Sequence, residues 1–195
     1  KPTHLVVVWD PKGRTFRYDM YDQYKANRAD MPEDLARQMG YIRSIVDAFN
    51  LPELEIQGFE ADDLIAHIAK KAEKQGIETV IVSGDKDLAQ LVSENVTMLD
   101  TLKNVRYDVA AVKEKFGVEP ERVADVLGLM GDSSDNVPGV PKVGEKTARK
   151  LIDQYGALEK VLENAEQVKG KVGENLKTYA EQARLSKDLV TLRSD

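Results

Sequence analysis

Runs of apolar, β-branched residues in this chain end repeatedly in carboxylates. Leu5-Val6-Val7-Val8-Trp9 stops at Asp10, Leu54-Glu55-Ile56 leads through Gly58-Phe59 into Glu60, Asp62 and Asp63, and Thr79-Val80-Ile81-Val82 gives way to Asp85 and Asp87. Short apolar runs of this kind predict strands, the continuous ones buried and parallel. Between them lie segments of helical spacing. Residues 33–49 carry Leu35, Met39, Ile42, Ile45, Val46 and Phe49, a stripe expected to pack into the core, and 61–76 carry Leu64, Ile65, Ile68, Ala69 and Ala72. Alternating strands and helices restrict this part of the chain to an α/β domain with a mainly parallel sheet. Such sheets bind ligands beyond the carboxyl ends of their strands, which is where the acids fall.

Further on, 88–92 reads as a short helix, 96–99 and 104–107 as short edge strands around a turn, and 109–116 as a helix ended by Gly117. From Glu119 the strand signals disappear. The chain divides near Val118 into an α/β part, 1–117, and a helical part, 118–195. In the second part a helix over 122–130 runs into the turn Gly131-Asp132-Ser133-Ser134-Asp135-Asn136, residues 137–144 form a hairpin, and a helix starts at Gly144 and passes through Lys146, Thr147 and Arg149 to Tyr155. Glycines at such a start let backbone N–H groups approach a phosphate, and the basic residues can follow it. Residues 158–190 read as further helices, broken at Gly170 and Gly173.

Carboxylates that converge from distant parts of a chain repel one another unless cations lie between them, so a divalent-metal site is the first expectation. The chain has no cysteine and two histidines, His4 and His67, which excludes thiolate chemistry and a histidine-rich centre. An all-oxygen donor set points to Mg²⁺ or Mn²⁺. Local readings compete: Asp10 also suits a turn, and one acid of Asp62 and Asp63 suits the first turn of a helix as a cap. Capping does not explain three carboxylates in four positions. His67 reads as a surface residue.

The net charge of −6 opposes nucleic-acid binding, yet the charge is unevenly spread. Lys12, Arg14, Arg17, Lys25 and Arg28 make one basic segment, interleaved with Phe16, Tyr18, Tyr21 and Tyr24 as suits stacking and phosphate contact, and Lys142, Lys146, Arg149 and Lys150 make another. Gly139 and Gly144 imitate a P-loop, but Glu145 interrupts its Gly-Lys-Thr and no strand precedes it. Asp85-Lys86-Asp87 alone matches the paired acids of haloacid-dehalogenase-type phosphatases and leaves Glu60, Asp132 and Asp135 idle. Neither histidine has the context of a serine triad. Two-metal phosphodiester hydrolysis employs all the acids, with cations roughly 3.5–4 Å apart. No apolar run approaches the roughly 18 residues that span a bilayer, and the absence of cysteine fits a reducing cytoplasm.

Taken together, Val8-Trp9-Asp10, Thr15-Phe16-Arg17, Tyr24-Lys25-Ala26-Asn27-Arg28, Gly58-Phe59-Glu60-Ala61-Asp62-Asp63, Asp85-Lys86-Asp87-Leu88 and Gly131-Asp132-Ser133-Ser134-Asp135-Asn136-Val137-Pro138-Gly139-Val140 closely resemble the 5′ nuclease domain of bacterial DNA polymerase I, of the flap endonuclease superfamily. The resemblance covers essentially the whole chain. It implies a PIN-like α/β fold followed by a helix-three-turn-helix region over 136–150 that grips duplex DNA and holds K⁺. It also implies two Mg²⁺ or Mn²⁺ ions, one served by Asp10, Glu60, Asp62 and Asp63, the other by Asp85, Asp87, Asp132 and Asp135. Lys25 and Arg28 would contact the scissile phosphate and Tyr24 would stack on a base. Arg17, Gly139, Lys142, Gly144, Lys146, Thr147 and Arg149 complete the expected DNA contacts. The family cleaves 5′ flaps and duplex 5′ ends and leaves 5′ phosphates; a monomer in the bacterial cytoplasm, at the nucleoid, is expected, or alternatively a catalytically impaired DNA-binding fragment. The family also places a strand with a further metal-binding aspartate, then a helix, upstream of the strand that here begins at Leu5. Accordingly, the chain is expected to be a piece of a larger protein that carries a polymerase region.

Overall fold

The computed structural model describes residues 2–194. Strand β1 (Val7–Val8) is followed by helices α1 (Phe16–Met20) and α2 (Glu33–Ala48), then by β2 (Glu53–Leu54), α3 (Ala61–Glu73) and β3 (Thr79–Val82). A 3-10 helix (Lys86–Leu91) leads to β4 (Val96–Asp100), β5 (Val105–Tyr107) and α4 (Val109–Phe116). The helical part consists of α5 (Val123–Met130), α6 (Glu145–Tyr155), α7 (Leu158–Glu163), α8 (Gly170–Thr178) and α9 (Ala180–Val190), with short 3-10 turns between. The α/β-then-helical order expected from the sequence is present.

Among the described residues the sheet is in two pieces. β1 pairs in parallel with β2, and β3 in parallel with β4, which pairs antiparallel with β5. β4 is therefore central, not an edge, and its alternating burial shows why: Val96, Met98 and Asp100 point inward while Thr97 and Leu99 are half-buried. α3 packs against both β1 and β3, so it is the frame on which the two pieces are hung. β1 and β3 themselves are not paired, and Val82 on β3 is 62% exposed.

The apolar stripe of α2 departs from expectation. None of its residues is buried, and Phe49, just past its end, is 72% exposed. A stripe buries only where a second layer covers it, and among the described residues α2 is held chiefly by Arg43, which pairs with Glu55 and lies over the Trp9 ring at 4.8 Å.

The densest packing lies in the helical part. Every residue of α5 from Val123 to Leu129 is buried, and α9 packs along it. Phe116, Val118, Leu88, Ala89 and Leu91 join the same hydrophobic cluster, so the expected boundary near Val118 runs through a shared core and not through a linker. Gly131 and Gly139 meet back to back with positive φ of 75° and 59°, and a Cβ on Gly139 would fall 2.3 Å from the Gly131 nitrogen. Gly173 is not a break: it lies inside α8, where a Cβ would meet the Val168 carbonyl at 1.8 Å.

Candidate active site

The acids arrive from separate elements by short-range rules. Asp10 lies two residues past β1 and accepts the Ala61 N–H at 2.8 Å, which ties the chain after the strand to the first turn of α3. Glu60 stands at the N-cap of α3 and Asp62 in its first turn, where negative charge suits the exposed N–H groups. Asp85 caps the 3-10 helix by accepting the Asp87 N–H at 3.0 Å. Asp135 comes from the tight loop after α5, which is pinned by paired backbone hydrogen bonds between Asp132 and Val137. Asp10, Glu60, Asp62, Asp85, Asp87 and Asp135 line one cavity of about 240 Å³, closed on another side by Leu189, Val190 and Leu192. Asp63 and Asp132 do not line it.

The acids divide by partner. Asp63 is held on both oxygens by the Arg17 guanidinium, at 2.6 and 2.8 Å, and also accepts the backbone N–H groups of Glu60 and Arg193. Burial alone would raise its pKa; Arg17 and these hydrogen bonds hold it below the usual carboxylate range instead. Glu60 accepts Lys25 Nζ at 2.7 Å and the Tyr24 hydroxyl at 3.1 Å, with Arg17 at 3.5 Å. Asp135 is paired with Arg28, accepts Tyr24 at 3.2 Å and lies 3.7 Å from Lys25 Nζ. Asp132 accepts Lys86 Nζ at 2.7 Å and the Ser134 N–H at 3.0 Å, and these offset burial so that its pKa too falls.

Asp10, Asp62, Asp85 and Asp87 have no cationic partner within 4 Å among the described residues. Burial, then the charges of Asp85 and Asp10, push Asp62 up to about 7, and burial, then Asp85 and Asp132, push Asp87 up to about 8. Asp87 Oδ1 is buried with no hydrogen-bond partner. An unsatisfied buried oxygen among uncompensated carboxylates fits a hard divalent cation, which supplies the missing charge and accepts oxygen ligands only. Among the described residues, however, no three acids stand close enough to hold an ion as they are placed.

The basic residues are redistributed relative to expectation. Arg17, read as a DNA contact, is 1% exposed: besides Asp63 it donates to the carbonyls of Leu189 at 2.7 Å and Thr191 at 3.2 Å, which rivets the segment after α9 to α3. Its guanidinium is taken up by these partners. Tyr24, expected to stack on a base, is 3% exposed, and its hydroxyl pKa is raised by burial and by Glu60 and Asp135. Asp63, expected on a metal, is saturated by Arg17. Arg149 bonds the Lys115 carbonyl and Glu145, fastening α6 to α4. Gly139 is buried, with its N–H on Ser186 Oγ at 2.9 Å and its carbonyl taken by Gln182, so its glycine requirement is internal packing and not phosphate access. Lys142, Gly144 and Lys146 are exposed beside half-buried Thr147 at the start of α6.

Two features escaped the sequence reading. Lys86, between two acids, is the partner of Asp132; its position in Asp-Lys-Asp was the available signal. Residues 23–28 are also clasped to the loop after α5. Lys25 N–H donates to the Asp135 carbonyl at 2.9 Å, Asn27 Nδ2 to Ser133 O at 2.7 Å and Asn136 Nδ2 to Gln23 O at 2.6 Å. Lys25 and Asn136 both hold left-handed φ, 54° and 56°, a conformation that costs free energy and is sustained by the clasp. No local pattern announces such a long-range contact.

Residues 1–117 match the 5′-3′ exonuclease N-terminal resolvase-like domain, and residues 118–195 match the 5′-3′ exonuclease C-terminal SAM fold. The chain belongs to the 5′-3′ exonuclease family. It is 51% identical over its whole length to DNA polymerase I of Rhizobium leguminosarum and 46% identical to DNA polymerase I of Bacillus subtilis, of which it covers 19% and 23%. The chain thus spans about a fifth of the length of these curated relatives. T5 5′-exonuclease, solved with bound zinc ions, superposes with a TM-score of 0.83 at 25% identity over 96% of this chain and 74% of that one. Bacteriophage T5 flap endonuclease, in a pseudo-enzyme-product complex with DNA and metal ions, gives 0.83 at 26% identity, over the same shares. Family membership makes the chain a nuclease, a hydrolase of phosphodiester bonds.

Proposed function

We propose that the chain is a divalent-metal-dependent, structure-specific 5′ nuclease, cleaving 5′ flaps and duplex 5′ ends of DNA to leave 5′ phosphates, as the nuclease part of a DNA polymerase I acting in replication and repair. The observation that carries this reading is the cavity in which Asp10, Asp62, Asp85 and Asp87 face one another with no ion-pair partner among the described residues, one buried oxygen unsatisfied. These side chains, with Glu60 and Asp135, would hold Mg²⁺ or Mn²⁺, two ions by the number of acids and the likeness to metal-bound T5 enzymes. Such ions, when bound, supply Lewis acidity to the attacked phosphate and the departing oxygen. Water adds at phosphorus and the bond to the 3′ oxygen breaks, leaving a 3′ hydroxyl and a 5′ phosphate.

The chain's own residues do the rest. Lys25 and Arg28 stand at the cavity on a clasped segment and can exchange Glu60 and Asp135 for the scissile phosphate as it enters. Arg17, through Asp63, keeps the wall formed by Leu189, Val190 and Leu192 against α3 and so limits water on that side. At the far end Lys142, Gly144, Lys146 and Thr147 offer exposed cations and a helix start to the duplex backbone, with K⁺ belonging to the same element. Residues 1–117, with Asp135 from the helical part, would carry the chemistry, and the rest of 118–195 the duplex grip, in a monomer of the bacterial cytoplasm.

The test is cleavage of a 5′-flap DNA with and without Mg²⁺, together with flap binding, for the wild type and Asp85→Asn. Mg²⁺-dependent cleavage that Asp85→Asn abolishes while binding persists supports the reading. Undiminished cleavage by the variant sinks it, and salt-sensitive binding without any cleavage by the wild type assigns a DNA-binding module instead.

A further inference from the structure

Lys86 stands between two acids of the cavity and is engaged by neither. Its side chain turns to the loop after α5, where Nζ meets Asp132 Oδ1 at 2.7 Å and approaches Ser134 Oγ at 3.4 Å. Asp132 in turn is the acid of its expected set that fails to reach the cavity; Asp85, Asp87 and Asp135 line it. The Asp132 carboxylate is 6% exposed and saturated on Oδ1 by Lys86, the Ser134 N–H and the Ser134 hydroxyl. The Lys86 side chain is 37% exposed and so has a route into solvent that Asp132 lacks.

We infer that Lys86 is a resident counter-cation for the second acid group: it holds Asp132 out of the metal cavity, and a divalent ion at Asp85, Asp87 and Asp132 must displace it. This rests on the reading of the cavity as a metal site. A carboxylate already neutralised by an ammonium at contact distance gains little from a second cation, and an ammonium held beside an arriving divalent ion is repelled by it. One carboxylate cannot serve both, and among the described residues no three acids are close enough to hold an ion as they stand. Lys86 therefore sets the affinity of this side for its ion. On the other side Glu60 is held by Lys25, but Asp10 and Asp62 have no ion-pair partner among the described residues, so that side fills first. Lys86 acts through Asp132, as a positioning residue, and touches no substrate.

The experiment is calorimetric titration with Mn²⁺ in the absence of DNA, for the wild type, Lys86→Met, Lys86→Arg and, as a remote charge control, Lys160→Met, whose lysine pairs with Glu163 on the surface. Expected are two binding steps in the wild type, the weaker one tightened about tenfold by Lys86→Met and altered less than about twofold by Lys86→Arg and Lys160→Met. An unchanged or weakened second step in Lys86→Met, or an equal gain in Lys160→Met, overturns the inference and leaves the metal site standing; absence of any Mn²⁺ binding by the wild type overturns both. Should Lys86→Met fail to fold, the wild type alone decides. Acetylation of Lys86 by acetic anhydride, read by mass spectrometry, should rise several-fold when Mn²⁺ is added, because the ion frees the amine. Constant or reduced labelling contradicts displacement.

Discussion

Asp63 and Asp87 lie within one small region of the protein, yet they live under opposite rules. Asp63 is buried against Arg17, accepts four hydrogen bonds from three residues and has a lowered pKa. Asp87 has a buried oxygen with no partner, no cation within salt-bridge distance among the described residues and a pKa pushed up to about 8. The difference extends to their neighbours: Glu60, Asp132 and Asp135 each have a lysine or arginine, whereas Asp10, Asp62 and Asp85 have none among the described residues. Asp63, completed by the protein, holds the fold in register. The carboxylates left incomplete are where an external cation has something to contribute.

The largest expected effect comes from removing an incomplete acid. Asp87→Asn should lower Mg²⁺-dependent flap cleavage on the order of 10⁴-fold while raising, or leaving unchanged, the metal-free melting temperature, since it removes a carboxylate that the fold does not satisfy. A loss of activity caused only by unfolding would break the comparison. On the completed side, Arg17→Met leaves Asp63 buried without its partner and should cost about 3–5 kcal/mol of stability by chemical denaturation. A change below about 1 kcal/mol would mean that the Arg17–Asp63 pair is not the rivet described here.

A pH titration separates the two groups in one experiment. Asp62 and Asp87 ionise near 3.8 when unfolded and near 7 and 8 when folded. Below about pH 4 both states are protonated and nothing is lost; as pH rises, the unfolded chain ionises first, so stability falls between about 4 and 8 and then levels. Asp63 and Asp132, whose pKa values are lowered, give the opposite sign, and only in acid, where stability is lost as pH falls through their folded pKa. Melting temperatures in chelator should therefore decline from pH 5 to pH 8, and saturating Mn²⁺ should remove the decline. A flat or rising profile in chelator contradicts the uncompensated cluster. The smallest effect lies away from the cavity: Lys142→Ala and Lys146→Ala should each reduce the salt slope of DNA binding by about one without altering Mn²⁺ affinity.

Much of this was legible from residues that act locally. Apolar runs ending in acids placed Asp10, Asp62, Asp85 and Asp87 at strand and helix ends, and strand–helix alternation followed by helices gave the order of the fold. Residues whose role depends on distant partners were misread. Arg17 and Tyr24 looked like surface cation and stacking ring because the segment around them is basic and aromatic; both are buried by contacts to residues 60, 63, 135 and 189. The α2 stripe has helical spacing, but burial needs a facing layer that periodicity does not supply, and among the described residues it finds none. Which acids would be neutralised by lysine and which left open could not be read from composition, because Lys25 and Lys86 reach carboxylates 35 and 46 positions away.

The central claim, that the incomplete carboxylates are the cation site, is tested most directly by proton release. Calorimetric titration of the wild type with Mn²⁺ at pH 7, repeated in two buffers of unequal ionisation enthalpy, counts the protons expelled when the ion binds. With Asp62 near 7 and Asp87 near 8, the account predicts release of roughly one to two protons per chain. Binding with no proton release, or no binding, would contradict it.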